Sequence, residues 1–447
     1  MDASLQPAPQ YSLLKMTWPI FIELLLQMLV GNMDQIMLSH FNGTAVAAVG
    51  NANQIINVLV LTFTVINLAA TILISRYLGA QDTKSVSQIY TLSVGVNLLL
   101  GILLTVVLVG LRNPLLLAMK VPGEIRPEAS AYLLITGLSM PFQALMLTFS
   151  AFLRAHAKMK TTMLVTGIIN IVNIVGNAAF INGIGPLPRM GAAGAALSTS
   201  ICRVMGMVLL GIAFYRSVPG EKIKASLLRP FPHDLLKKLL GIGLPTGGEN
   251  LSYNLSQMAC LVFVNTFGTY VVTTRMYCVM FAQVCYMLIL AVSQAGQIIV
   301  SYCVGAKDFA RAERENARIL RLFTPITVGV TVVLFLFAES LFGVFTQDPR
   351  IIVLGKQILF VEIFLEIGRC FNIVLVRNLQ AVGDVKLTVS VGIASQWIIA
   401  VGVAWLLSVP AGLGLVGIWI AFAIDENVRA VILYLRWKHG KWKKLLA

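Results

Sequence analysis

The chain has 447 residues, of which 57% are hydrophobic and only 12% are charged, and its mean hydropathy is +0.84. Soluble domains contain about 45–50% apolar and about 25% charged residues. The composition therefore excludes a soluble globular enzyme, a disordered chain and a coiled coil, and it indicates a polytopic membrane protein. A net charge of +15 is also typical of nucleic-acid binding, but the positions of the basic residues give another explanation.

Long segments without charged residues divide the chain into membrane-sized pieces, since a helix needs about 20 apolar residues to cross a bilayer. These segments and the Pro, Gly and charged residues between them predict twelve spans: 14–39, 45–74, 86–111, 130–152, 161–182, 191–215, 237–263, 276–303, 319–343, 354–377, 387–408 and 413–435. The predicted fold class is an all-α polytopic membrane protein.

The basic residues are distributed unevenly between the two sides of these spans. With the N-terminus in the cytoplasm, the cytoplasmic segments hold 24 Lys and Arg and the opposite loops hold 7. Cytoplasmic loops of membrane proteins carry such an excess. We therefore predict that both termini are cytoplasmic, and the basic surplus needs no nucleic-acid partner.

A repeat with a constant offset runs through the chain. Residues 75–82 (SRYLGAQD) recur as residues 301–308 (SYCVGAKD), and the same offset carries Pro19 onto Pro245. It also carries Glu23, Leu153, Ala155, Lys160 and Thr162 onto Glu249, Leu379, Ala381, Lys386 and Thr388. A shared offset at separate places indicates an internal duplication.

The duplication predicts two six-helix bundles, residues 1–215 and 237–447, joined by a charged cytoplasmic linker over residues 216–236. Because six is even, both bundles enter the membrane in the same orientation, as a parallel repeat. Such pairs of bundles are typical of alternating-access transporters.

Span 1 carries the polar residues Glu23, Gln27 and Asp34 on one helical face. A carboxylate at the bilayer centre costs about 2.5–3.5 kcal/mol, so Asp34 is expected to be functional or paired. The alternative is that Asp34 only caps a helix end. The position equivalent to Asp34 in the second half is Cys260, so the deep carboxylate belongs to the first half alone.

Span 5 carries Asn173 and Asn177 on one face, and Thr199 in span 6 completes a predicted polar lining around Asp34. A carboxylate surrounded by amide and hydroxyl oxygens can hold a proton or Na⁺. We favour the proton, because it fully neutralises a lone carboxylate, whereas Na⁺ needs more ligands. The alternative is that the amides only join neighbouring helices.

The second half offers further polar and adaptable side chains. Glu366 and Arg369 in span 10 are spaced as an internal ion pair, beside Glu362. Asp425, Glu426 and Arg429 in span 12 have no assigned role. Candidates for lining a substrate cleft are Gln27, Glu249, Tyr253, Tyr277, Met280 and Met287, although Met stripes more often serve packing.

No metal, cofactor or catalytic signature stands out. The sequence contains no HExxH, Walker A or GxSxG motif and only four His residues, and its six Cys form no CxxC pair. We expect neither an enzyme nor an ATP-driven pump, and no bound cofactor. Transport then depends on an ion gradient.

Several motifs together resemble those of the multidrug and toxic compound extrusion (MATE) family. Trp18-Pro19 followed by Gly31-Asn-Met-Asp34 is similar to the family's first helix with its ion-binding Asp. The resemblance extends to the following segments: Asn173-Ile-Val-Gly-Asn177 in the fifth helix, Gly194-Ala-Ala-Leu-Ser-Thr199 in the sixth, and Leu379-Gln-Ala-Val-Gly-Asp384 after the tenth.

The resemblance implies two bundles in a V with a central cleft, and export of organic cations and amphipathic drugs in exchange for H⁺ or Na⁺. It implies that Asp34, Asn173, Asn177 and Thr199 form the cation site, in a prokaryotic plasma membrane. One departure is that Arg369 stands where some branches carry an ion-coupling acid. Expected partners are small molecules and membrane lipids, and nothing in the pattern requires more than a monomer.

Two alternative functions are also compatible with a polytopic membrane protein. A flippase for lipid-linked precursors needs cationic groups to hold pyrophosphate, and Arg203 and Arg369 are available for that role. A membrane-embedded enzyme needs clustered nucleophiles, bases or metal ligands, and the sequence shows none. The physiological substrate is not specified, because a fold does not dictate its substrate.

Overall fold

A computed structural model describes residues 12–183, 188–218, 220 and 223–445, which are almost entirely helical and contain no strand. The first half comprises α1 (Leu13–Phe41), α2 (Gly43–Gly79), α3 (Thr83–Ala118), α4 (Arg126–Leu138), α5 (Met140–Ala155), α6 (Met159–Asn182) and α7 (Gly191–Ser217). The second half comprises α8 (His233–Thr266), α9 (Thr269–Gly305), α10 (Phe309–Leu336), α11 (Ala338–Gly343), α12 (Pro349–Ala381), α13 (Val385–Ser395), α14 (Ala404–Ser408) and α15 (Gly414–Lys438). A π-helical stretch, Gln396–Val403, connects α13 to α14.

The predicted all-helical membrane fold is confirmed. Within the described residues, eight helices are long and apolar enough to cross a membrane, and the bent pair of α4 and α5 makes a ninth. Helices α8, α12 and α15, with 34, 33 and 25 residues, are also long enough but more polar, and they complete the twelve spans.

The fourth span is not the single helix predicted over residues 130–152. It consists of α4 and α5, which meet at Ser139 with a bend of 51°. Pro141, in the first turn of α5, has no amide hydrogen to donate to the preceding turn and disfavours helical geometry just before it. A Cβ on Gly101 of α3 would lie 2.7 Å from the Pro141 Cα, so α3 packs directly against this break.

Several helices extend beyond the predicted spans. Helix α10 begins at Phe309, ten residues before the predicted start, and the Asp308 side chain caps it by accepting a 2.9 Å hydrogen bond from the Arg311 amide. Arg275, which the predicted bounds place in a loop, lies inside α9, and Arg377, the last residue of the predicted tenth span, lies four residues before the end of α12. A hydropathy pattern ends a span at its first charge, whereas the backbone helix continues through it.

The described chain divides into two compact units, residues 18–243 and residues 244–445, the latter together with residues 12–17. In the first unit the core includes the small residues Ala45, Ala48 and Ala52 of α2, which allow neighbouring helices to approach closely. Larger side chains, such as Phe342 and Trp419, fill the core of the second unit.

Equivalent turns repeat between the halves. Gln81 and Lys307, which the repeat offset makes equivalent, both adopt φ of 58°, and each is followed by an Asp that caps the next helix. The segment predicted as a linker is shorter than 216–236, because α7 continues to Ser217 and α8 begins at His233. Residues 219, 221 and 222 of that segment lie outside the described residues.

Candidate functional site

Asp34 lies on α1, half-buried, against two buried asparagines of α6. The Asn177 side-chain amide donates a 2.5 Å hydrogen bond to Asp34 Oδ1. The same amide nitrogen lies 3.3 Å from Asn173 Oδ1, one helical turn away. The structure thus brings together three of the four residues predicted for the cation site.

The residue of α7 that joins this cluster is Ser198, which contacts Asn173, and not the predicted Thr199. Ser198 Oγ donates to the Asn173 carbonyl oxygen at 3.1 Å and accepts from the Asn173 side chain at 3.5 Å. Thr199 is half-buried and points about 100° away around the helix, and it makes none of these hydrogen bonds. A Cβ at position 176 would lie 2.5 Å from Ser198 Oγ. The absence of a side chain at Gly176 therefore leaves room for Ser198 to approach α6.

The Asp34 cluster is better suited to stabilising a carboxylate than to enclosing a metal ion. Asn177 directs its NH₂ group, a donor, towards Asp34, and its own Oδ1 is buried without a hydrogen-bond partner. Among the described residues, no group of three or more His, Cys, Asp or Glu side chains could hold a metal. The arrangement provides one carboxylate that a proton can neutralise.

The other acid of α1, Glu23, is already paired. Its side chain is 3% exposed, and Arg154 of α5 donates to Glu23 Oε1 at 2.6 Å. Thr166 lies 3.4 Å from the same oxygen. Gln27 is exposed on the same helix. Glu23 therefore serves the packing of α1, and Asp34 is the α1 acid that has no cationic partner among the described residues.

The equivalent acid in the second half, Glu249 of α8, has no such partner. Gln380 stands at the position equivalent to Arg154, and Gly392 stands at the position equivalent to Thr166. A Cβ on Gly392 would lie 2.5 Å from Glu249 Oε1, so the two residues face each other. Within the described residues Glu249 makes no ion pair, and it faces a cavity.

This cavity lies inside the second unit and has a volume of about 380 Å³. Helices α8, α9, α12 and α15 and the π-helical stretch contribute to its wall. Its charged lining consists of Glu249, Glu362, Asp425, Glu426, Arg275, Arg369, Arg377 and Arg429. Its aromatic lining consists of Tyr253, Tyr286, Trp419 and Phe422.

Two ion clusters account for part of this charge. Arg369 donates to Glu362 at 2.9 Å and also to Glu366, so the predicted Glu366–Arg369 pair includes a second carboxylate. Trp419 Nε1 donates to the other Glu362 oxygen at 2.7 Å. Since both carboxylates are almost fully buried, this cluster ties α12 to α15.

Asp425, Glu426 and Arg429, which had no predicted role, form the second cluster. Arg429 pairs with Asp425 and lies 3.2 Å from Glu426. Ser395 donates to Asp425, and Asn372 donates to Glu426 at 2.6 Å. The cluster thus connects α15 to α12 and α13.

The remaining cleft candidates divide into two groups. Tyr253 lines the cavity together with Glu249, whereas Tyr277, Met280 and Met287 do not belong to its wall. Tyr277 packs against Phe345, with ring centroids 5.3 Å apart, and Met287 is only 7% exposed. Met280 is 45% exposed on α9, so its place in a substrate cleft stays a prediction.

Arg203 of α7 has a structural role that the sequence does not reveal. Its guanidinium is buried and donates to the Thr136 carbonyl oxygen at 3.0 Å and to Ser139 Oγ at 2.8 Å. Thr136 lies in the last turn of α4, where the bend frees backbone carbonyls. Arg203 therefore stabilises the break between α4 and α5.

In the described part of the chain, twelve helical spans with a duplicated architecture, a polar cluster on one intramembrane acid and a charged intramembrane cavity define a polytopic α-helical transporter. The family model MatE matches residues 19–179 and again residues 245–406. The chain therefore belongs to the MatE family. The two matches start at Pro19 and Pro245, which the sequence repeat also pairs.

Curated relatives cover nearly the whole chain. The uncharacterized transporter YisQ of Bacillus subtilis is 37% identical over 97% of this chain and 95% of its own length. The probable multidrug resistance protein NorM of Thermotoga maritima is 29% identical over 98% of this chain and 94% of its own length.

Solved structures share the fold. A crystal structure of MATE in the bent conformation has a TM-score of 0.90 at 21% identity and covers 99% of this chain and 98% of its own. A MOP superfamily transporter from Pyrococcus furiosus, described as having reverse polarity of its binding pocket, has a TM-score of 0.88 at 21% identity, with the same coverage.

Proposed function

We propose that this protein is a cation-coupled antiporter that exports organic cations and amphipathic drugs by alternating access. We place it in the prokaryotic plasma membrane with both termini in the cytoplasm, and it needs no enzyme activity, cofactor or nucleic-acid partner. Membership of the MatE family supports transport, and the relative named for multidrug resistance supports this class of substrate.

The contact between Asn177 and Asp34 is the observation that carries the proposal. An intramembrane acid without a cationic partner can take up a proton, and protonation removes the negative charge that strengthens its hydrogen bond with the Asn177 amide. Helix α1 contains Pro19 and has open space around Gly31, so it can bend when this tie between α1 and α6 weakens. Loading of the cation then drives release of the drug.

We favour H⁺ over Na⁺ as the coupling ion. Na⁺ in a protein is bound by several oxygen atoms, whereas the Asn177 group nearest to Asp34 is an NH₂ donor. One proton on Asp34 neutralises the site without further ligands. A sodium-coupled mechanism would require the Asn177 amide to turn its oxygen towards the carboxylate.

The rival flippase reading loses support from the arginines on which it depended. Arg203 is bound at the break between α4 and α5, and Arg369 is paired with two carboxylates. Neither guanidinium is available to hold a pyrophosphate.

Ethidium efflux from proteoliposomes, with a pH gradient and a Na⁺ gradient imposed separately, tests the proposal. We expect efflux under the pH gradient and its loss in Asp34→Asn, which keeps the side-chain size but cannot bind the proton. Glu313→Gln is the matched control, because Glu313 is 38% exposed and pairs with Lys443 on the surface. Wild-type efflux by Asp34→Asn would refute the coupling site, and no efflux under either gradient would refute the function.

A further inference from the structure

An open groove lies on the surface of the second unit, at the end where α12 begins. Residues of α10, α11, α12 and α15 line it, and its volume is about 990 Å³. Much of the lining is apolar and accessible, since Val353, Phe360 and Leu413 are between 46% and 59% exposed. Lipid tails are as apolar as these side chains, so the groove suits an acyl chain of the surrounding membrane.

This groove is separate from the interior cavity of the second unit. Gln357 lines the groove and Glu362 lines the cavity, and the five residues between them turn α12 by about 140°. Within the described residues, the two walls have no residue in common. The groove therefore lies on another face of α12 and opens away from the cavity.

Two opposite charges stand on the described wall of the groove. Lys356 of α12 and Glu339 of α11 pair at 2.6 Å, with side chains that are 44% and 70% exposed. The contact uses one carboxylate oxygen and one of three ammonium N–H groups, so both side chains can form further hydrogen bonds. Such exposed pairs are weak. A zwitterionic headgroup can therefore join the pair, with its ammonium group on Glu339 and its phosphate on Lys356.

The side chains that follow Lys356 along α12 continue this match. Gln357 is exposed in the groove and makes no hydrogen bond within the described part of the chain. Phe360 lies about 4.5 Å further along the helix, and its ring centroid is 5.6 Å from that of Phe335. The order of cation, amide and aromatic surface corresponds to the phosphate, ester carbonyl and acyl chain of a phospholipid.

We propose that this groove binds phosphatidylethanolamine, a zwitterionic phospholipid with a primary ammonium group. Lys356 binds the phosphate and Glu339 binds the ammonium group. Gln357 donates to an ester carbonyl, and one acyl chain lies against Phe335 and Phe360. The primary ammonium group is decisive, because it donates charge-assisted hydrogen bonds to a carboxylate. A choline headgroup has no N–H donor, and a glycerol headgroup has no positive charge.

Native mass spectrometry of the purified full-length protein in detergent tests this assignment, because it gives a dissociation constant for each added lipid. The probes are phosphatidylethanolamine, phosphatidylcholine and phosphatidylglycerol with identical acyl chains. We expect phosphatidylethanolamine to bind about two- to fivefold more tightly than the other two, which is the effect of one exposed charge pair.

Two variants separate the roles of the two charges. We expect Glu339→Gln to abolish the preference for phosphatidylethanolamine without weakening the binding of phosphatidylglycerol, whose headgroup makes no use of the carboxylate. Lys356→Gln should weaken all three lipids about two- to fivefold, because each carries a phosphate. Glu313→Gln is the matched control, since Glu313 also forms an exposed ion pair, with Lys443, but lies about 33 Å from Phe335 along α10.

Equal affinities for the three lipids would identify an ordinary lipid-facing surface and overturn the proposal. Tighter binding of phosphatidylglycerol than of phosphatidylethanolamine would also overturn it, because Lys356 alone would then act as an anion site. The same holds if Glu339→Gln keeps the preference, or if Glu313→Gln loses it. The inference is independent of the proposed export function, since the measurement requires no transport and no drug.

Discussion

At the scale of single residues, the two halves differ in the partners of an equivalent arginine. Arg203 and Arg429 occupy equivalent positions in the repeat, and both are buried. Arg203 donates hydrogen bonds to a carbonyl oxygen and a hydroxyl oxygen, whereas Arg429 pairs with the carboxylate of Asp425, the equivalent of Thr199. The duplication therefore keeps the cation and changes its partner, which gives the second unit a charged cavity and leaves Asp34 in uncharged surroundings.

His156, in the turn after α5, provides a test of linkage between protonation and stability. Its ring forms a hydrogen bond with the Tyr90 hydroxyl, and burial, aided by Lys158, lowers the pKa of His156 to about 4. An unfolded histidine has a pKa of about 6.5, so the unfolded state gains a proton first as the pH falls. Stability is therefore lost from about pH 6.5 down to pH 4, with no further loss from this group below that.

We expect the thermal unfolding midpoint in detergent to fall more in the wild type than in His156→Gln over this pH range. The histidine contribution is about 3 kcal/mol at most. Glutamine keeps a hydrogen-bonding group for Tyr90 but does not titrate, so the difference between the two pH profiles isolates the histidine. Parallel profiles would show that His156 is protonated equally in both states.

At the scale of helices, α12 and α15 pack closely against each other at Gly368. A Cβ on Gly368 would lie 2.6 Å from the Asn427 backbone nitrogen and 2.8 Å from the Glu426 carbonyl carbon. Both obstacles are backbone atoms, so a methyl group can be accommodated only if a helix moves. The same contact holds the two ion clusters of the cavity side by side.

We predict that Gly368→Ala destabilises the protein by about 1–3 kcal/mol, the usual cost of overpacking. Gly329→Ala on α10 is the control, because its Cβ would meet nothing within 4 Å. Thermal unfolding of both variants in the same detergent is the measurement. A midpoint for Gly368→Ala equal to that of Gly329→Ala would contradict the close approach of α12 and α15.

The sequence predicts those helices that are marked by a continuous apolar segment. Twelve apolar segments predict twelve spans, and the helices of the described residues match that number. It missed Arg275 as a residue of α9, because a charge ends an apolar segment without ending the helix. It also chose Thr199 over Ser198, since a neighbouring residue on a helix differs by about 100° and only the packing against Gly176 decides between them.

The duplication extends over the whole chain, and the even number of spans in each half predicts that both halves enter the membrane in the same orientation. The turns at Gln81 and Lys307 share the same backbone geometry, and both residues are exposed. A parallel repeat places them on the same side of the membrane, whereas an inverted repeat would place them on opposite sides. The distribution of Lys and Arg predicts that both turns are cytoplasmic.

Labelling of single cysteines in intact cells distinguishes these arrangements. All six native cysteines are buried and free, so a membrane-impermeant maleimide has little background. We predict that Gln81→Cys and Lys307→Cys react only after the membrane is permeabilised, whereas Gln347→Cys, in the exposed turn before α12, reacts in intact cells. Labelling of Gln81→Cys and Lys307→Cys from opposite sides would contradict the parallel repeat, and labelling of both from outside would reverse the topology and the direction of export.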